Sequence, residues 1–158
     1  MSARRREGDA AGTAAAGERF ASVLRAGDVV LLTGRLGAGK TTFVQGVARG
    51  LGVTDRVTSP TFTMVHEHRC HNARGIETLQ HADLYRVGGL AEALDLAIGE
   101  LVEESAVALV EWGEVAAPAF GPRVMTVEVV VDDDDARSIT VAGELSEDRG
   151  AELGRWAS

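Results

Sequence analysis

The sequence predicts an α/β domain with a mostly parallel sheet flanked by helices, and three observations lead there. Val29 to Leu32 is an apolar run without polar alternation, as suits a strand covered on both faces. A glycine-rich turn follows directly and opens into a helical stretch, Thr41 to Leu51. Val107 to Val110 repeats the buried-strand pattern further along, so strands and helices interleave.

Taken in order, Thr13 to Leu24 carries Phe20, Val23 and Leu24 at helical spacing and stops at Ala26-Gly27. The buried strand from Asp28 to Thr33 comes next, then the glycine turn and its helix. Phe62 to His68 and Ile76 to Leu84 are β-prone stretches separated by His71, Asn72 and Gly75, a strand pair with a loose turn. Leu90 to Glu104 reads as a helix whose buried stripe is Leu90, Leu94, Ile98, Leu101 and Val102. Val107 to Val110 ends on Glu111. Val124 to Val131 and Ser138 to Val141 are two further strands around the turn Asp132 to Asp135, and a short tail holds Leu153 and Trp156.

The 158 residues suit one domain spanning 1–158, with 1–12 and 144–158 expected as flexible ends. The Arg4 to Arg6 run reads as part of a disordered terminus. No apolar run approaches the roughly 20 residues of a membrane span, and no secretory leader pattern is present. Cys70 is the single cysteine, so an internal disulfide is excluded; these features favour the cytoplasm. A formal net charge of −8 opposes direct binding to a phosphate backbone, which points to protein partners rather than unaided nucleic-acid contact.

Gly34-Arg35-Leu36-Gly37-Ala38-Gly39-Lys40-Thr41 fits G-x-x-x-x-G-K-[ST] in full, between a buried strand and a helix. Such a loop turns successive backbone N–H groups toward phosphate oxygens and adds the helix N-terminus to the same concavity. The expected nucleotide contacts are Gly34, Leu36, Gly37, Ala38, Gly39, Lys40, Thr41 and Thr42, with Lys40 on the β- and γ-phosphates and the Thr41 hydroxyl on Mg²⁺. Of 16 basic residues only Lys40 is a lysine, and it stands where the loop requires one. The fold class is therefore narrowed to a P-loop nucleotide-binding domain.

A loop of this kind needs an acidic partner at the end of a neighbouring strand. Glu111 is the candidate; the plainer alternative is an ordinary strand-terminal glutamate. Asp83, ending the other candidate strand, could supply a second carboxylate. Ser59-Pro60-Thr61 lies after the loop's helix, where a hydroxyl can sense the terminal phosphate, although Pro60 alone would explain a turn.

These residues resemble the TsaE (YjeE) family, the ATPase component of bacterial tRNA threonylcarbamoyladenosine synthesis. Four motifs match in order: LGAGKTTF at Leu36 to Phe43, SPTFT at Ser59 to Thr63, HADLYR at His81 to Arg86, and LVEWGE at Leu109 to Glu114. The likeness runs from about Thr13 to about Val141. It implies ATP and Mg²⁺ as ligands, with Thr41 and Glu111 coordinating the metal and Lys40 holding the phosphates. Thr61 would act in a switch loop, Asp83 would support hydrolysis, and Arg137 would lie near the nucleotide. Trp112 and Tyr85 would be positioning or core residues. The implied partners resemble TsaB and TsaD, with tRNA reached only indirectly through that complex, and the expected turnover of the isolated chain is weak. Arg35 departs from the family, which usually has an acidic residue there, and Arg69 to Thr78 is longer and more polar than the family pattern.

Other readings are weaker. His66, His68 and His71 with Cys70 lack the spacing of a closed zinc site. A small P-loop kinase acting on a metabolite is the main rival, but it needs an arginine-rich lid, and Glu92 to Glu104 is acidic instead. A GTPase would need an N-K-x-D element, for which the chain has no second lysine.

Overall fold

The computed structural model describes residues 1–60, 65–85, 104–120 and 124–158, and the seven strands among these residues form one sheet in the order β1-β7-β6-β2-β5-β4-β3. The strands are β1 (Ser2–Glu7), β2 (Val29–Thr33), β3 (Val65–Arg69), β4 (Thr78–Asp83), β5 (Ala106–Glu111), β6 (Val124–Val131) and β7 (Arg137–Ala142). Three helices accompany them among the described residues: α1 (Ala10–Phe20), α2 (Lys40–Gly50) and α3 (Glu147–Ala157). Single-turn and longer 3-10 segments occupy Ala21–Val23 and Gly113–Phe120.

The sheet is mixed rather than mostly parallel. Its four central strands, β6, β2, β5 and β4, run parallel, while β3, β7 and β1 pair antiparallel with their neighbours. The cause is connectivity. β3 and β4 are joined by a short turn, as are β6 and β7, and a short connection can only reverse the chain.

The apolar runs fall where continuous burial requires them. All six residues of β5 are buried, and Val29 to Leu32 of β2 are buried between β5 and β6. One face of the sheet carries Val30, Leu32, Leu79, Leu109 and Val127 under α1, α2 and α3. Phe20 joins the three helices there, its ring 5.6 Å from Phe43 and 5.8 Å from Trp156. The opposite face carries Val29, Leu31, Ala82, Ala108 and Val110 under Phe120.

Helices α1 and α2 approach backbone to backbone. A Cβ placed on Gly46 would come within 1.9 Å of the Ala14 carbonyl oxygen, and one on Gly17 within 2.2 Å of that of Phe43. Only glycine permits this spacing, which draws α2 and the loop preceding it tight against the domain.

Both ends of the chain are structured, contrary to the expectation of flexible termini. β1 pairs with β7 over six residues, and its arginines are tied down: Arg4 donates to Ser138 Oγ at 2.8 Å, Arg5 pairs with Glu7 at 2.9 Å, and Arg6 pairs with Asp132 at 3.2 Å. At the other end Ser146 caps α3, and Arg149 grips the buried Asp28 at the entry to β2 with bonds of 3.1 and 2.5 Å. The expected helix over 90–104 and the start of the expected strand at 62–64 fall almost wholly outside the described residues, as does Thr61. No helix of the described residues is long and apolar enough to cross a membrane.

Candidate functional site

Three parallel strands, β2, β5 and β4, lie side by side, and their carboxyl ends open at one edge of the sheet. Ligands of open α/β sheets collect at that edge. The glycine loop leaves β2 there, Glu111 closes β5, and Asp83 closes β4 in register with Glu111.

The loop depends on glycine at two points in particular. Gly34 has φ 143°, and a Cβ on it would sit 2.5 Å from the Val129 carbonyl oxygen of β6. Gly39, with φ 112°, turns the chain into α2, and no side chain caps that helix. The first N–H groups of α2 therefore keep the orphan donors and partial positive charge of a helix start. Arg137 of β7 braces the loop from outside, donating from Nε to the Ala38 carbonyl at 2.7 Å. Its sequence-based placement near the nucleotide becomes, in the structure, contact with the loop.

Lys40 opens α2 and is only 4% exposed. Its Nζ donates to the Gly34 carbonyl at 2.5 Å and to that of Arg35 at 3.4 Å, and it lies 3.7 Å from the centroid of the Trp112 ring. Burial lowers the pKa of this ammonium, against the opposing pull of Glu111, Asp83 and Glu114. Trp112 reaches this position because its backbone adopts φ 58°, a left-handed conformation uncommon outside glycine. Tyr85 stacks against it at 5.0 Å between rings but is 53% exposed, so Tyr85 is not a core residue.

Glu111 is 3% exposed and accepts two donors. Thr41 Oγ1 lies 3.1 and 3.2 Å from its two carboxylate oxygens, and His81 Nε2 lies 2.6 Å from Oε2. Asp83 accepts from the Ser59 hydroxyl at 3.4 Å and from the Tyr85 backbone N–H at 2.9 Å. Leu36, Gly37, Gly39, Lys40, Thr41, Thr42, Ser59, Asp83, Tyr85, Glu111 and Trp112 together line a cleft of about 400 Å³. The hydroxyl of Thr41 and the carboxylate of Glu111 are hard oxygen donors within reach of a common point, a set that suits a small hard cation such as Mg²⁺. Arg35 is exposed and does not line this cleft.

The model of the threonylcarbamoyl adenosine biosynthesis protein TsaE matches residues 8–139 of the chain. The chain belongs to the TsaE family. It is 42% identical over 148 residues to the tRNA threonylcarbamoyladenosine biosynthesis protein TsaE of Streptomyces coelicolor, covering 90% of this chain and 92% of that one. The protein of the same name from Treponema pallidum is 40% identical over 130 residues, 82% of this chain and 93% of its own. Among solved structures, Bacillus subtilis YdiB superposes with a TM-score of 0.76 at 32% identity, covering 98% of this chain and 95% of that one.

Within this TsaE-family chain the structure gathers Leu36, Gly37, Gly39 to Thr42, Asp83 and Glu111 at one cleft, while Gly34 and Ala38 line a second pocket that shares Trp112 with it. It adds His81, which the motif HADLYR contains but to which sequence reasoning gave no role. The available signal was the two-residue period of a strand. If Asp83 faces the loop from β4, His81 faces the same way, toward the end of β5.

Proposed function

We propose that the chain is a magnesium-dependent ATPase serving the threonylcarbamoyladenosine modification of the tRNA adenosine next to the anticodon. The observation that carries this reading is the convergence of Lys40, Thr41 and Glu111 at the mouth of one glycine loop, in a chain of the TsaE family.

Binding follows from the loop. Its backbone N–H groups and the start of α2 receive the phosphates, and Lys40 exchanges the Gly34 carbonyl for the β- and γ-phosphate oxygens. Mg²⁺, held by Thr41 Oγ1 and a Glu111 oxygen, would neutralise charge building on the transferred phosphoryl group. Asp83, the other carboxylate lining the cleft, orients the attacking water, and Trp112 with Tyr85 forms a wall beside Lys40. Among the described residues no arginine lines the cleft, and Arg137 is engaged with loop and turn carbonyls. Turnover in isolation is therefore weak and rises when partners resembling TsaB and TsaD dock. The net charge of −8 fits a chain that meets tRNA through those proteins.

The test is ATP hydrolysis by the purified chain with and without its cognate TsaB- and TsaD-like proteins, alongside threonylcarbamoyl transfer to tRNA. Stimulated hydrolysis together with repeated rounds of modification supports the reading. Hydrolysis that ignores the partners while a small metabolite accepts phosphate overturns it. Glu111→Gln retains nucleotide and loses hydrolysis; unchanged hydrolysis removes Glu111 from the site.

A further inference from the structure

We propose that His81 is the positioning residue of the metal-binding carboxylate: its buried imidazole holds Glu111 in the orientation that, together with Thr41, receives the divalent cation. The inference rests on the proposed magnesium site and extends it to a residue beneath the cleft.

The geometry is a diagonal cross-strand pair. On β4, His81 lies opposite Leu109 of β5, and Glu111 is the next residue of β5 on the same face. His81 is 0% exposed and does not line the cleft, so it meets neither solvent nor ligand directly. Its Nε2 stands 2.6 Å from Glu111 Oε2. A carboxylate offers no proton, so Nε2 carries the hydrogen and donates. The other nitrogen, Nδ1, is buried with no hydrogen-bond partner among the described residues. Here the one directional bond of the ring goes to Glu111, and the unmet nitrogen is tolerated beside it.

The consequence for Glu111 is directional. Thr41 Oγ1 is nearly equidistant from both carboxylate oxygens and does not choose between them. The His81 bond breaks that symmetry by engaging Oε2, which restrains the carboxylate's rotation and leaves Oε1 free of that bond. Hydrogen bonds from outside the coordination shell orient metal-binding carboxylates in this way, and their loss typically lowers metal affinity about 10- to 100-fold.

The experiment uses the full chain loaded with ADP and reads Mn²⁺ binding by electron paramagnetic resonance, with metal-free ADP affinity measured in parallel. His81→Leu weakens Mn²⁺ about 10- to 100-fold while metal-free ADP affinity changes far less. His81→Gln, whose amide nitrogen falls near the place of Nε2, recovers most of the loss. Unaltered Mn²⁺ affinity in His81→Leu, with Glu111→Gln still weakening it, overturns the role of His81. If Glu111→Gln also leaves Mn²⁺ unaffected, the metal site itself fails. A measurement on the unmodified chain covers the case in which His81→Leu does not fold. The imidazole ¹⁵N resonances should report an Nε2–H tautomer for His81 and shift when Mg²⁺ is added to the ADP-loaded protein; an Nδ1–H tautomer or unmoved resonances overturn the proposal.

Discussion

The Lys40 ammonium stands 3.7 Å from the centroid of the Trp112 ring while its hydrogen bonds go to carbonyls of its own loop. In the proposed binding mode phosphate draws it from those carbonyls, and the indole face would register the move. The only other tryptophan, Trp156, lies in the core against Phe20. In a Trp156→Phe chain, ADP therefore changes the emission of Trp112, and adding Lys40→Ala removes that change. Emission indifferent to ADP would separate the ring from the nucleotide site.

The same lysine gives a pH prediction. Because burial lowers its pKa, the ammonium loses its proton at a lower pH than an ordinary lysine, whose pKa is about 10.4. The sign follows: ADP affinity falls as pH rises through the lowered value, and the folding penalty of the buried charge is relieved over the same interval. With a single lysine in the chain, one ¹³Cε resonance reports the titration. A midpoint at or above the ordinary value would contradict it.

Cys70 is buried, and burial pushes its thiol up to about 11. Near pH 8 the thiolate is scarce and shielded, so a disulfide reagent reacts slowly with the native chain and rapidly in urea. Equal rates in the two conditions would place the thiol at the surface.

Gly46→Ala should destabilise the chain by about 1–3 kcal/mol or more, because its Cβ meets the Ala14 carbonyl oxygen and α1 must back away. Urea unfolding measures the loss. Gly154→Ala, where a Cβ meets nothing within 4 Å, is the comparison and should be neutral or slightly stabilising.

Arg149→Met leaves the buried Asp28 carboxylate without its guanidinium and should cost about 3–5 kcal/mol. Arg149→Met combined with Asp28→Asn should cost less than Arg149→Met alone, since no charge is then stranded. Thermal unfolding of both variants distinguishes the outcomes.

The glycine loop, β2, β5 and the hairpin of β6 with β7 were legible because each is written locally: a glycine pattern, an unbroken apolar run, an acidic turn between two β-prone stretches. β1 was not. Arg4-Arg5-Arg6 resembles a solvated arm until the ladder with residues 137–142 and the carboxylates of Asp132 and Asp134 are in place, and none of these is near in sequence. The parallel character of the sheet was overstated because buried runs identify central strands and say little about the edges. At the site, Glu111 and Asp83 could be placed from strand ends, whereas His81 acts through a residue 30 positions away on a neighbouring strand. Such a pairing becomes visible only with the order of β4 and β5 and their register.

The position of β1 has a consequence for synthesis on the ribosome. Ser2–Glu7 is made before every other described strand, yet among the described residues it pairs with β7, which ends at Ala142, so most of the chain must follow before its ladder can close. Met1 and Gly143 then join through reciprocal backbone contacts of 3.1 and 3.2 Å. Arg6 of this early strand later meets Asp132 and Asp134, so a charge that guards an unpaired edge against other chains also helps to complete the sheet.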